Sequence, residues 1–102
     1  MIEEYKIITL CGSVKFKDDF LEMQKRLTLE GNIVISVGFF DLSPNEVLSD
    51  KARKMLGDIH KRKIDLSDEI FVINKGGYIG ESTRSEIEYA KNHGKIVRYL
   101  ED

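Results

Sequence analysis

Tryptophan is absent, proline occurs once, and there is a single cysteine, Cys11. One thiol cannot make an intrachain disulfide, so a hydrophobic core and hydrogen bonds must hold the fold. A lone thiol also suits a reducing compartment. Neither sign of charge dominates, with 18 acidic residues against 16 basic and a formal net charge of -2. There is then no global basic field to draw a nucleic acid polymer, and an anionic ligand has to be held by local geometry. No apolar run approaches the ~18 residues of a membrane-crossing helix. The stretch "MIEEYKIITLC" carries two acids where a secretory leader carries positive charge. The expectation is a cytoplasmic protein with no membrane partner. His60 and His93 stand apart, with no metal-ligand spacing around them, so neither metal nor cofactor is expected.

What is present is a regular alternation of patterns. "YKIITLC" (5–11) is a β-branched apolar run, as in a strand buried on both faces, and it stops at Gly12-Ser13. Phe16, Phe20, Met23 and Leu27 then recur at helical spacing, ending at Gly31 in the place of a helix-terminating glycine. "NIVISVGFF" (32–40) predicts a second strand running into an aromatic loop. "SPNE" (43–46) has the form of a capping box, with Ser43 as N-cap, Pro44 as first helical residue and Glu46 returning its carboxylate. Ala52, Met55, Leu56, Ile59 and Leu66 supply an apolar stripe, although Gly57 and the Ser49-Asp50 pair can divide this helix. "EIFVIN" (69–74), a third helix marked by Ile87, Ala90 and Gly94, and "KIVRYL" (95–100) complete a β-α-β-α-β-α-β order.

A chain of 102 residues with 41% hydrophobic content makes one domain, 1–102. The alternation predicts an α/β fold: a small doubly wound, flavodoxin- or Rossmann-like, four-stranded parallel sheet with helices on both faces. Ligands of such sheets bind at the carboxyl ends of the strands, so the loops at 12–15, 38–43 and 75–82 are the places to look.

Several residues in or near those loops have chemistry to offer. Gly12 and Ser13 in "CGSVKF", with Lys15 behind them, can receive a phosphate or carboxylate at a helix start, or form a tight turn with Ser13 as N-cap. "KGGYIGES" (75–82) is no P-loop: the spacing from Gly76 to Gly80 is short, and Glu81 stands where the phosphate-binding lysine belongs. Thr83 and Glu86 form T-x-x-E, a second capping-box pattern, in which the helix dipole keeps the carboxylate ionised. Turned toward the cleft beside Gly12, the same carboxylate can attack an anomeric carbon. Asp65 and Asp68 flank the start of the third strand, as a leaving-group acid, a sugar-orienting group, or simply solvated helix-end residues. Phe39, Phe40 and Tyr78 offer aromatic faces for a base or for closing the core. Cys11 is a buried strand-end thiol. Nothing in the spacing pairs it with His60, and the basic run "HKRK" (60–63) has the form of a solvated helix face.

Taken in order, "CGSVKF", "DLSDEIFVI" and "SEIEYAKNHGKIV" resemble the nucleoside 2-deoxyribosyltransferase-like proteins, including the deoxynucleoside 5′-monophosphate N-glycosidases. The resemblance spans most of the chain. It implies cleavage or transfer of the N-glycosidic bond of a deoxynucleoside or its monophosphate, with a glutamate at the start of the last helix attacking the sugar C1′. Glu86 occupies that place. His60 stands near the family's leaving-group aspartate, with Asp65 and Asp68 as alternative acids. The resemblance implies that Gly12 and Ser13 line the sugar or its 5′-phosphate; Ser82 and Arg84 are candidate phosphate partners by location, and Phe39, Tyr78 and Gly80 complete the candidate substrate-binding set. The implied partner is a small-molecule nucleoside or nucleotide, in a homodimer or larger homo-oligomer. The other course is a nucleotide- or anion-binding module on the same fold without catalysis.

Overall fold

The computed structural model describes residues 2–102. Four strands, β1 (Ile7–Gly12), β2 (Ile33–Ile35), β3 (Glu69–Ile73) and β4 (Ile96–Tyr99), form one sheet in the order β2-β1-β3-β4. All three pairings are parallel. Helices α1 (Lys17–Leu29), α2 (Asp50–Asp65) and α3 (Glu81–Asn92) supply the crossovers. Strand order reverses between β1 and β3, which makes the carboxyl ends of these two strands the crevice of a doubly wound sheet.

Alternation along the central strands decides which helix goes where. Ile8 and Leu10 of β1, with Phe71 and Ile73 of β3, face Phe20, Met23 and Leu27 of α1. Cys11, Ile70 and Val72 face the other way, against Ile64 of α2 and Ile87 and Ala90 of α3. Helices therefore cover both faces, as the apolar runs predict. Thr9 shares the second face, where its hydroxyl bonds the Ser67 hydroxyl and the Lys63 carbonyl, so a buried polar group is fully paired. No helix among the described residues is long and apolar enough to cross a membrane.

Three local expectations are corrected. The second strand is short. Its pairing with β1 ends at Thr9↔Ile35. The chain then leaves the sheet edge, and Phe40 packs edge-on against Phe20 at 5.4 Å between ring centroids. The second helix does not begin at "SPNE". The Ser43 amide does donate to the Glu46 carboxylate at 2.7 Å, but the pair closes an isolated turn. The helix starts six residues later, where Ser49 caps the Ala52 amide at 3.0 Å. The predicted apolar stripe of α2 is largely in solvent at Met55, Ile59 and Leu66, while the residues this helix buries are His60 and Ile64. The basic run thus carries an inward-facing histidine.

Gly12 closes β1 in a conformation that needs glycine. Its φ is +148°, and a Cβ there would lie 2.8 Å from the Ile73 carbonyl oxygen. Gly12→Ala is expected to destabilise the fold by roughly 1–3 kcal/mol. A denaturant midpoint unchanged from wild type would show that the crevice between β1 and β3 has slack.

Candidate active site

A large concavity lies where the topology places a ligand. It is a cavity of about 960 Å³ at the carboxyl ends of the strands, bordered by Gly12, the 37–42 loop, α2 and the first turns of α3. A volume near 1,000 Å³ is at the upper end of small-molecule sites. His60 and Glu86 form part of its wall, and Phe39 and Ser82 join them.

Beneath this wall three side chains from three elements converge. Cys11 Sγ, at the end of β1, lies 3.4 Å from His60 Nε2 on α2. The same Nε2 lies 3.9 Å from Glu86 Oε1 on α3. The three donor atoms all fall within 4.8 Å of one another. Cys11 and His60 are buried, and the Glu86 side chain keeps 14% of its surface. Helical period explains the meeting. Ile64 and His60 are four apart on α2, and Ile87 and Ala90 on α3 turn the adjacent Glu86 toward the same seam.

Burial sets the charge state of the cluster. It raises the Glu86 carboxyl from 4.5 to about 7, against opposing influences from the Cys11 thiol, Lys61 and Lys63. Burial, helped by the Lys63 charge, lowers His60 to about 4. Burial and the neighbouring Glu86 carboxylate push the Cys11 thiol well above its ordinary value. Near neutral pH the imidazole is uncharged, the thiol is protonated, and Glu86 is balanced between its two forms. The dipole-held, fully ionised carboxylate expected from T-x-x-E is not what the fold makes. Helix α3 begins at Glu81 after Gly80, and that N-cap makes no side-chain bond. Thr83 is already inside the first turn and buried, and Glu86 lies beyond the reach of the helix end.

The remaining sequence candidates separate into two groups. Gly12, Phe39 and Ser82 border the cavity with His60 and Glu86. Asp65 and Asp68 do not. Asp68 accepts the Ile7 amide at 2.8 Å, at the amino end of β1. Asp65 accepts the Tyr89 hydroxyl at 2.7 Å. The length of β3, roughly 16 Å, separates that end of the sheet from the cavity. Ser13 caps a short 3-10 turn, Val14–Phe16, accepting from the Lys15 amide. Lys15 places its ammonium 3.5 Å from the centre of the Tyr78 ring, so both are engaged with each other. Tyr78 in turn folds over Gly80, where an added Cβ would lie 3.3 Å from its hydroxyl. Arg84 is exposed and does not border the cavity.

Arg53, which the sequence did not single out, borders it, as do Lys61 and Lys63 of the run read as a solvated helix face. Lys63 donates to the Ser36 carbonyl at 2.8 Å, which fixes its charge beside the cluster. No known protein-family model matches the chain, and no curated protein is significantly similar to it.

The sign of the Glu86 shift is testable. A carboxyl raised in the fold favours its protonated form there, so its stabilising contribution is complete below about 4.5 and is lost as pH rises through about 7. Glu86→Gln, a neutral isostere, should gain about 2 kcal/mol on wild type between pH near 5 and pH near 8, with metal chelated. Equal denaturation midpoints for both proteins across that range would refute a carboxyl raised by burial.

Proposed function

We propose that the protein cleaves or transfers the N-glycosidic bond of a deoxynucleoside or deoxynucleoside 5′-monophosphate, with Glu86 as the nucleophile. The observation that carries this reading is a part-buried carboxylate at the cavity wall, at the switch point of a parallel sheet, in the place the family resemblance assigns to its glutamate. In the ionised form Glu86 attacks C1′ and the base departs with its bonding pair. An ester links the sugar to Glu86 until water, or a second base, displaces the carboxylate. His60, uncharged and with Nε2 3.9 Å from Glu86 Oε1, accepts the proton of the incoming water. Phe39 offers a face for the base. Arg53, Lys61 and Lys63, rather than Ser13 and Arg84, supply positive charge for a 5′-phosphate.

The reading extends to a homodimer or larger homo-oligomer in the cytoplasm. The exposed Met55, Ile59 and Leu66 of α2 are an apolar face that a second copy can cover.

The decisive experiment incubates the chelator-treated protein with the deoxynucleosides and their 5′-monophosphates and separates the products. Free base is expected. Glu86→Gln should lower its release more than about a hundredfold while the fold persists. Base release by Glu86→Gln equal to wild type would remove Glu86 from the chemistry. Binding without turnover, with Glu86→Gln affinity intact, would leave an anion- or nucleotide-binding module in its place.

A further inference from the structure

We propose that Cys11, His60 and Glu86 form a binding site for one divalent transition metal ion, of which zinc(II) is the best fit. The argument is geometric and does not rest on the glycosidic reading. A tetrahedral zinc ion with sulfur at about 2.3 Å and nitrogen and oxygen near 2.0–2.2 Å holds its ligand atoms about 3.4–3.6 Å apart. Here Cys11 Sγ and His60 Nε2 are 3.4 Å apart. His60 Nε2 and Glu86 Oε1 are 3.9 Å apart. Both separations fall within about half an ångström of that tetrahedral spacing.

The donors also have the right chemistry. A thiolate, a neutral imidazole and a carboxylate select a borderline ion over calcium or magnesium, which prefer all-oxygen shells. Thiolate and carboxylate together carry two negative charges, which a divalent cation neutralises. Binding requires that Cys11 Sγ–H ionise and that any proton on Glu86 leave, so protons pass to solvent as the metal enters. Lys61 and Lys63 bring positive charge near the site, but the Lys63 ammonium is tied to the Ser36 carbonyl, and the thiolate and carboxylate would bind the ion directly. His60 and Glu86 border the cavity, which leaves the fourth position to a water or an anionic ligand arriving from that side. Three protein ligands and one open position are the composition of a reactive metal site rather than a closed structural one. A bound ion also withdraws Glu86 from nucleophilic attack, so metal occupancy and glycosidic turnover exclude each other.

The test is metal binding itself, read without any substrate. Chelator-treated protein is titrated with zinc(II) against a chromophoric chelator, and separately with cobalt(II), followed by absorption. The expectation is one ion per chain, with a thiolate-to-cobalt charge-transfer band. Cys11→Ala should abolish that band, and both it and Glu86→Gln should weaken zinc binding at least about tenfold. His93→Asn, on the far end of α3, should leave affinity unchanged. Circular dichroism of each metal-free variant establishes that it is folded. Should Cys11→Ala prove unfolded, Glu86→Gln and the cobalt band of the wild type still decide the matter. Absence of the band in wild type, or zinc affinity indifferent to Glu86→Gln, overturns the proposal. Base release lost on adding zinc and restored by chelator is expected if the glycosidic reading also holds. Failure of that reading leaves the zinc result intact.

Discussion

The pairing of β1 with β3 is the constraint on which the rest of the molecule depends. It runs from Ile8↔Glu69 to Gly12↔Ile73. It joins segments about sixty residues apart, so forming it closes a loop that spans the whole β1-α1-β2-α2 length. Asp68 fixes its amino end by accepting the Ile7 amide. Glu69, buried beside it, pairs with Lys6 and Arg98. At the carboxyl end Gly12 abuts the Ile73 carbonyl with no room for a side chain. Between these ends each strand sends alternate residues to opposite helices. Slipping the register by one residue would turn Cys11 and Thr9 onto the α1 face and Leu10 onto the other.

The site follows from that register. Cys11 reaches α2 and α3 because it shares the face of Ile70 and Val72, and His60 and Glu86 meet it because each sits on the buried side of its helix. None of the three is near another in sequence, so spacing alone holds no trace of the cluster. Strand positions were legible because β-branched runs mark a sheet buried on both faces, and the glycines at 31 and 94 marked helix ends, where both adopt positive φ. His60 was hidden by its neighbours. Lys61, Arg62 and Lys63 give the segment the profile of a solvated face, while the helix turns the histidine inward.

Two capping-box signatures met different fates, and neither is the one expected. Ser43 and Glu46 make one bond of the box, yet no helix follows, because Ser49 offers a cap directly ahead of the residues that α2 can pack. Thr83 and Glu86 sit in a helix that has already begun at Glu81. A capping pattern describes a local possibility, and long-range packing chooses among several of them. The same holds for Tyr78. Its place between glycines suggested a ligand face, but Lys15 occupies the ring. The cavity lies instead on the α2–α3 side of the sheet, where Phe39 supplies the aromatic group.

Two polar clusters on one face of β1 show which burial is structural. Thr9, Ser67 and the Lys63 carbonyl satisfy one another inside the protein, which is how a fold neutralises a hydroxyl it must enclose. Two residues along the same strand, Cys11 meets a histidine and a carboxyl that each titrate far from their ordinary values. An apolar trio of similar volume would pack there without that electrostatic cost. The second cluster also differs in having a way out, since His60 and Glu86 stand at the wall of a cavity that neither Thr9 nor Ser67 borders. A buried, titratable group with access to a cavity of small-molecule size is the arrangement that chemistry requires and packing does not. That contrast, within one strand, makes the carboxyl end of β1 the candidate functional end of the sheet.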